Sequence, residues 1–266
     1  MSIQNTEFAA LTFAEKIIAF NQSLVFSAPL PSGVAVMNPF RENPGTLAAS
    51  SAFYRKFYND NTPRSMLIGI NPGRFGAGLT GVPFTDPKRL RDECGIHDYP
   101  GPDAHEPSSV FVYEVIRKFG SQLGGRLAGR SEGGSVVSDG IKGEPGAVDA
   151  FYSRFYINSI CPLGFVQANA KGREVNHNYY DSPALFAGAR SFMVESMRAQ
   201  LCFGIRRELA FVLGTGKNFK CISELNREYG FFDELIPLEH PRYIIQYKSR
   251  QMQSYVEKYL DVLSRA

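Results

Sequence analysis

The sequence predicts an α/β fold: a three-layer α/β/α sandwich on a central, mainly parallel, four-stranded sheet. Three observations carry that expectation. Four apolar runs of strand length alternate with stretches of helical periodicity, the pattern of a parallel sheet with helices on both faces. Each run stops abruptly at Gly, Pro or a polar residue, as a buried strand does at its loop. The composition, 44% apolar and 21% charged over 266 residues, is that of a globular chain that can bury a sizeable core. Disordered, collagen-like and coiled-coil chains are excluded. One domain over residues 1–266 is expected, with a Gly/Ser-rich insertion at about 120–149.

The elements follow in order. Thr6 to Phe20 reads as an amphipathic helix, with Leu11, Ile17, Ile18 and Phe20 on its apolar side. Asn38 to Gly45 is rich in turn residues, and a helix is expected from Thr46 to Tyr58. Ser65 to Ile70 is the first strand, ended by Asn71-Pro72-Gly73. Arg74 to Tyr99 has little periodicity and reads as one long loop, of the kind that carries function. Ser108 to Phe119 is helical, and the polar stretch after it is too hydrophilic for the core. Phe155 to Ile160, Leu209 to Gly214 and Leu235 to Leu238 are the other strands. Helices are expected over Pro183–Phe203, Asn218–Tyr229 and Ser249–Leu263. No internal repeat is visible.

Several function classes fall away. No apolar run approaches the ~20 residues of a membrane helix. The start Met1-Ser2-Ile3-Gln4 lacks the basic residues of a secretion signal, so a cytoplasmic location is expected. Neither the four cysteines nor the four histidines show metal-ligand spacing, and no metal or cofactor is expected. A net charge of +3 permits a nucleic-acid partner without requiring one.

In open parallel sheets the site lies beyond the carboxyl ends of the strands. That rule singles out Asn71-Pro72-Gly73, Asn158-Ser159, Gly214-Thr215-Gly216-Lys217 and His240-Pro241-Arg242. No carboxylate pair and no Gly-x-Ser-x-Gly elbow stands there. Gly214-Thr215-Gly216-Lys217 lacks the spacing of a nucleotide-triphosphate loop and reads as a strand-to-helix turn that can touch a phosphate. What remains is neutral: two asparagines, one histidine and an aromatic-bearing glycine loop. An asparagine amide reads a base edge or holds a water. A phenylalanine stacks on a base. A histidine donates to an oxygen that becomes negative. The set suits cleavage of an N-glycosidic bond, where the water needs positioning more than deprotonation.

The residues Gly69-Ile70-Asn71-Pro72-Gly73-Arg74-Phe75-Gly76 and Thr80-Gly81-Val82-Pro83-Phe84 resemble the first motif of single-strand-selective monofunctional uracil-DNA glycosylases. The resemblance resumes at Asn158-Ser159-Ile160-Cys161-Pro162-Leu163 and ends at His240-Pro241, spanning positions 69 to 241. It implies roles residue by residue. Asn71 would position the water that attacks C1′, and His240 would stabilise charge on O2 of the leaving base. Phe84 would stack on the flipped base, and Asn158 would bond its Watson–Crick edge. The Ile70 backbone would add a hydrogen bond, and Gly73 would leave room near C5. The implied partner is DNA carrying uracil, with hypoxanthine and xanthine open. The implied enzyme flips the base, uses no metal and acts as a monomer.

After His240-Pro241 the family's usual Ser-Pro-Arg-Asn-Pro is replaced by Arg242-Tyr243-Ile244-Ile245-Gln246-Tyr247-Lys248, similar to the family's second, bacterial branch. Tyr243 or Ile244 would be the wedge that fills the gap left by the base. Arg242, Lys248 and Lys217 would meet phosphates. Two alternatives stay open at this point: a non-catalytic nucleic-acid binder that kept the pocket, and a hydrolase of free nucleosides.

Overall fold

The computed structural model describes residue 8, residues 10–128 and residues 146–266. Helix α1 (Phe13–Ser23) opens on Thr12. The Thr12 hydroxyl accepts from the Glu15 N–H while the Glu15 carboxylate accepts from the Thr12 N–H, which satisfies two free helix donors. The start expected at Thr6 lies outside the described residues. Strand β1 (Val34–Met37) and a short helix α2 (Pro39–Glu42) occupy the turn-rich stretch. Helix α3 (Pro44–Phe57) carries proline in its first turn, where the missing N–H has no helical partner to lose.

Strand β2 (Arg64–Gly69) is buried at every position, as the central strand of a parallel sheet should be. It begins with a wholly buried arginine. The Arg64 guanidinium donates to the carbonyls of Phe57, Thr62 and Tyr152 and to both oxygens of Asp60. Its carbon lies 4.8 Å from the Phe13 ring centre and 4.7 Å from that of Tyr58. A full set of acceptors and two ring faces offset the cost of taking the charge out of water.

The expected loop Arg74–Tyr99 contains two short helices, α4 (Ala77–Thr80) and α5 (Pro87–Asp92). Elements this brief are too short to show a period of 3.6. Helix α6 (Pro107–Ala128) runs more than two turns past its expected end. Gly120, read from sequence as opening a polar insertion, instead lets two elements touch. A Cβ there would stand 2.0 Å from the carbonyl oxygen of Ala147, the first residue of helix α7 (Ala147–Tyr152). The rest of the expected insertion, 129–145, lies outside the described residues.

Strands β3 (Phe155–Ser159), β4 (Gly164–Ala168) and β5 (Glu174–His177) come next, followed by helix α8 (Pro183–Leu201) capped by the Ser182 hydroxyl. Then come strand β6 (Ile205–Leu213), helix α9 (Lys217–Tyr229) and strand β7 (Glu234–Leu238). Helices α10 (Pro241–Tyr247) and α11 (Met252–Leu263) complete the chain.

The central sheet has the order β3-β2-β6-β7 and is parallel throughout, with Ile68 opposite Asn158 and Val212, and Leu213 opposite Leu238. Helices flank it in two groups: α1 packs on α3 and α8, and α6 packs on α7, α10 and α11. A second, antiparallel sheet of order β1-β4-β5 was not expected from sequence. Its strands are four or five residues long and partly exposed, and Glu174-Val175-Asn176-His177 carries no apolar signature. The small sheet brings β5 beside the loop that follows β2. Among the described residues no helix is long and apolar enough to cross a membrane.

Candidate active site

A cavity of about 300 Å³ opens at the carboxyl ends of the parallel strands, lined by Ile70, Asn71, Gly73, Phe84, Ser159 and His240 among others. Seven of the residues expected there from sequence, Ile70, Asn71, Gly73, Phe84, His240, Arg242 and Tyr243, are therefore brought together from three separate segments.

Asn71 follows β2 and is clamped from behind by backbone. Its Nδ2 donates to the His177 carbonyl at 3.3 Å, and its Oδ1 accepts from the Tyr179 N–H at 3.3 Å. Both partners belong to the segment that leaves β5, so the small sheet sets the amide's orientation. An amide oxygen has two lone pairs. The one that Tyr179 leaves free can take a hydrogen from a water in the cavity.

His240 caps α10: its Nδ1 accepts from the Arg242 N–H at 3.1 Å. That bond fixes the tautomer, because Nδ1 must carry the lone pair and Nε2 the hydrogen. Burial, and secondarily the Arg242 guanidinium, push the imidazole down to about 4. The ring is thus a neutral N–H donor.

The Phe84 ring lies 5.7 Å from the His240 ring, centre to centre, and tilts 51° to it. Its backbone has φ +54°, the single non-glycine residue with positive φ among the described residues. Such a conformation costs about 1–3 kcal/mol and persists where surroundings impose it. Here the buried Thr80 hydroxyl imposes it: Oγ1 accepts from the Val82 N–H at 3.2 Å and donates to the Thr85 carbonyl at 2.6 Å.

Three expectations need correction or qualification. Ile244 is not a wedge: its side chain is fully buried, on the face of α10 that packs into the core. Tyr243 is 43% exposed and Tyr247 66% exposed, and both border the cavity with ring centres 5.6 Å apart. The segment expected to carry the wedge is a two-turn helix, and helical spacing puts 243 and 247 on one side and 244 on another. Asn158 stands behind the cavity rather than in it. Its Nδ2 donates to the Tyr156 hydroxyl at 2.5 Å and its Oδ1 accepts from the Ser159 N–H at 2.8 Å. The β3 residue that lines the cavity is Ser159. Lys248 caps the far end of α10 and does not border the cavity.

Arg242 and Lys217 do reach the rim. Arg242 lines the cavity, and Lys217 borders an adjoining cleft of about 450 Å³ that it shares with His240 and Tyr243. Sequence reasoning missed Asn176, whose Oδ1 accepts from the Arg74 N–H at 3.1 Å and ties the glycine loop to β5. It also missed Glu106, Asn178 and Tyr247 as lining residues. The run Asn176-His177-Asn178 was a weak signal: three polar residues ahead of two tyrosines, in a stretch whose Asn, Lys, Gly, Arg and Glu read as surface loop. Among the described residues no group of three or more His, Cys, Asp or Glu is placed to hold a metal ion.

The chain matches the Uracil DNA glycosylase superfamily over residues 55–264. It is also similar to wild-type SMUG2 of Pedobacter heparinus, known as a crystal structure. The two share 46% identity and superpose with a TM-score of 0.82, covering 96% of this chain and 97% of that one. No curated protein sequence matches the chain.

Proposed function

The chain belongs to the uracil DNA glycosylase superfamily, and on that premise we propose that it hydrolyses the N-glycosidic bond of uracil flipped out of DNA, leaving an abasic site. The observation that carries this reading is the pairing of a clamped amide with a neutral imidazole across one cavity. The two groups match the two demands of the reaction.

As the C1′–N1 bond lengthens, its electron pair passes into the base and gathers on O2. The His240 Nε2–H meets that charge, and a donor in a water-poor cavity stabilises an oxyanion far better than in bulk water. A neutral imidazole suffices, because the hydrogen bond strengthens as charge develops. The sugar becomes cationic at C1′. The water held by Asn71 Oδ1 adds there and gives up its proton to solvent, so no strong base is needed. Phe84 stacks on the base and holds it in line. The Ile70 backbone bonds the base, and Gly73 leaves space at C5.

Asn158 reads the base edge once its amide turns from the Tyr156 hydroxyl into the cavity. Tyr243, with Tyr247 beside it, fills the space the base vacates, while Arg242 and Lys217 meet phosphates. Hypoxanthine and xanthine are further substrates of the same cavity. Every group in this scheme comes from one chain, so a monomer acts alone, in the cytoplasm, without metal or cofactor.

The test is excision from labelled oligonucleotides carrying uracil, single-stranded and paired, with EDTA present. Wild type is expected to form abasic sites. Asn71→Ala is expected to lower the single-turnover rate by about 100-fold or more while DNA affinity stays within about threefold. Folded wild-type protein that excises no base would sink the proposal. Equal rates for the two proteins would remove Asn71 from it.

A further inference from the structure

Glu106 is the cavity-lining acid that the scheme above leaves idle. It stands just before α6, at the place where the base cavity continues into a second cavity of about 300 Å³. The two share Gly73, Glu106, Asn176 and Arg242 in their walls. The carboxyl lies against the glycine loop: a Cβ on Gly76 would fall 1.7 Å from Oε2. That Oε2 is buried and has no hydrogen-bond partner. A buried carboxyl oxygen left unpaired costs free energy, and such exceptions ask for an explanation.

We propose that Glu106 is a catalytic, specificity-determining acid for deaminated purines: its carboxyl O–H donates to N7 of a 6-oxopurine held in the base cavity. The inference rests on the glycosylase reading, in which C5 of a pyrimidine faces Gly73. A purine carries N7 on that same side of its glycosidic bond, and N7 is a hydrogen-bond acceptor where a pyrimidine has only C5–H. Glu106 shares with Gly73 the wall that this N7 would face.

The chemistry closes. The C1′–N9 bond breaks with its electron pair passing to the purine. The proton moves from Glu106 to N7, so the base leaves neutral. Water bonds to C1′ and releases a proton to solvent, and the carboxylate regains one from solvent.

The surroundings keep a large share of this acid protonated near neutrality. Burial comes first, and the Asp86 carboxylate on the α5 side second; together they push Glu106 up to about 7, against the opposing pull of Arg242 on α10. Asp86 itself is held by Arg89, by the Glu106 N–H and by Ser109, with His105 beside it. Arg74 of the glycine loop lines the second cavity and lies over the Phe75 ring. Asn176 offers an N–H towards Gly73 at every pH, so the part of any pH dependence that Glu106→Gln abolishes belongs to the acid.

The experiment measures kcat/KM on oligonucleotides carrying hypoxanthine and uracil, between pH 6 and 8, and reads the ratio of the two. In wild type the hypoxanthine-to-uracil ratio is expected to fall about tenfold over that range, following the protonated fraction. Glu106→Gln keeps a donor at every pH, so its ratio is expected to be flat. Glu106→Ala is expected to lower the ratio at pH 6 by about tenfold or more. Thermal unfolding confirms that each variant is folded. A wild-type ratio independent of pH, a slope retained in Glu106→Gln, or uracil excision without any purine excision overturns the inference alone. Loss of every excision, uracil included, overturns it together with the reading on which it rests.

Discussion

At the scale of single residues, the proposed site relies on neutral groups whose protonation states are set by their neighbours. His240 accepts a backbone hydrogen at Nδ1 and stands beside Arg242. An imidazolium would lose that bond and face a like charge. With the pKa lowered from the usual histidine value to about 4, the neutral donor is complete at pH 7 and lost only as pH falls through about 4. Uracil excision is therefore expected to stay level from about pH 8 to 5.5 and to drop towards pH 4, read from single-turnover rates. Linkage gives the same sign for folding. The lowered value favours the native state above the unfolded pKa of about 6.5, and that contribution disappears as pH falls towards 4. His240→Gln removes this acid-side loss, which melting curves at pH 7 and 4.5 would reveal. A bell centred near pH 6.5 for uracil would contradict the neutral imidazole.

At the scale of elements, the proposed scheme gives α10 two jobs on two sides. Ile244→Ala is expected to destabilise the fold by about 2–4 kcal/mol, because it empties a filled core position. Tyr243→Ala and Tyr247→Ala change stability by less than about 1 kcal/mol, since those rings are exposed. Their expected effect is on extrusion: excision of paired uracil slows by about tenfold, while single-stranded uracil is little affected. Chemical denaturation and strand-dependent rates separate the two predictions. The sequence singled out the segment proposed as the wedge but not its conformation, and only a helix puts 244 inside while 243 and 247 look out. The same limit explains what else was legible. Asn71, Phe84 and His240 could be found because each ends or follows an apolar strand in a spaced motif. Asn176 and Glu106 could not. They enter from an antiparallel strand with no hydrophobic alternation and from the residue ahead of a helix, and nothing local ties them to Asn71. Gly120 shows the converse, a composition signal that meant helix contact rather than loop.

At the scale of the whole molecule, a net charge of +3 leaves DNA affinity to a few well-placed cations rather than to a general field. Lys217 and Arg242 stand on the rim of the site, on the neighbouring segments that follow β6 and β7. The logarithm of affinity against the logarithm of salt is expected to fall with a slope of about −2 to −3, losing about one unit in Lys217→Ala or Arg242→Ala. Fluorescence anisotropy of a labelled strand measures it, and a salt-independent affinity would remove the phosphate contacts. The chain has 13 tyrosines and no tryptophan, and seven of the tyrosines are deep in the core. Ultraviolet emission therefore arises from phenols alone. The pair on α10 is the fraction most open to iodide from solution, and stacking against bases would hide it. Loss of iodide quenching on adding DNA would thus report engagement of this helix without any label.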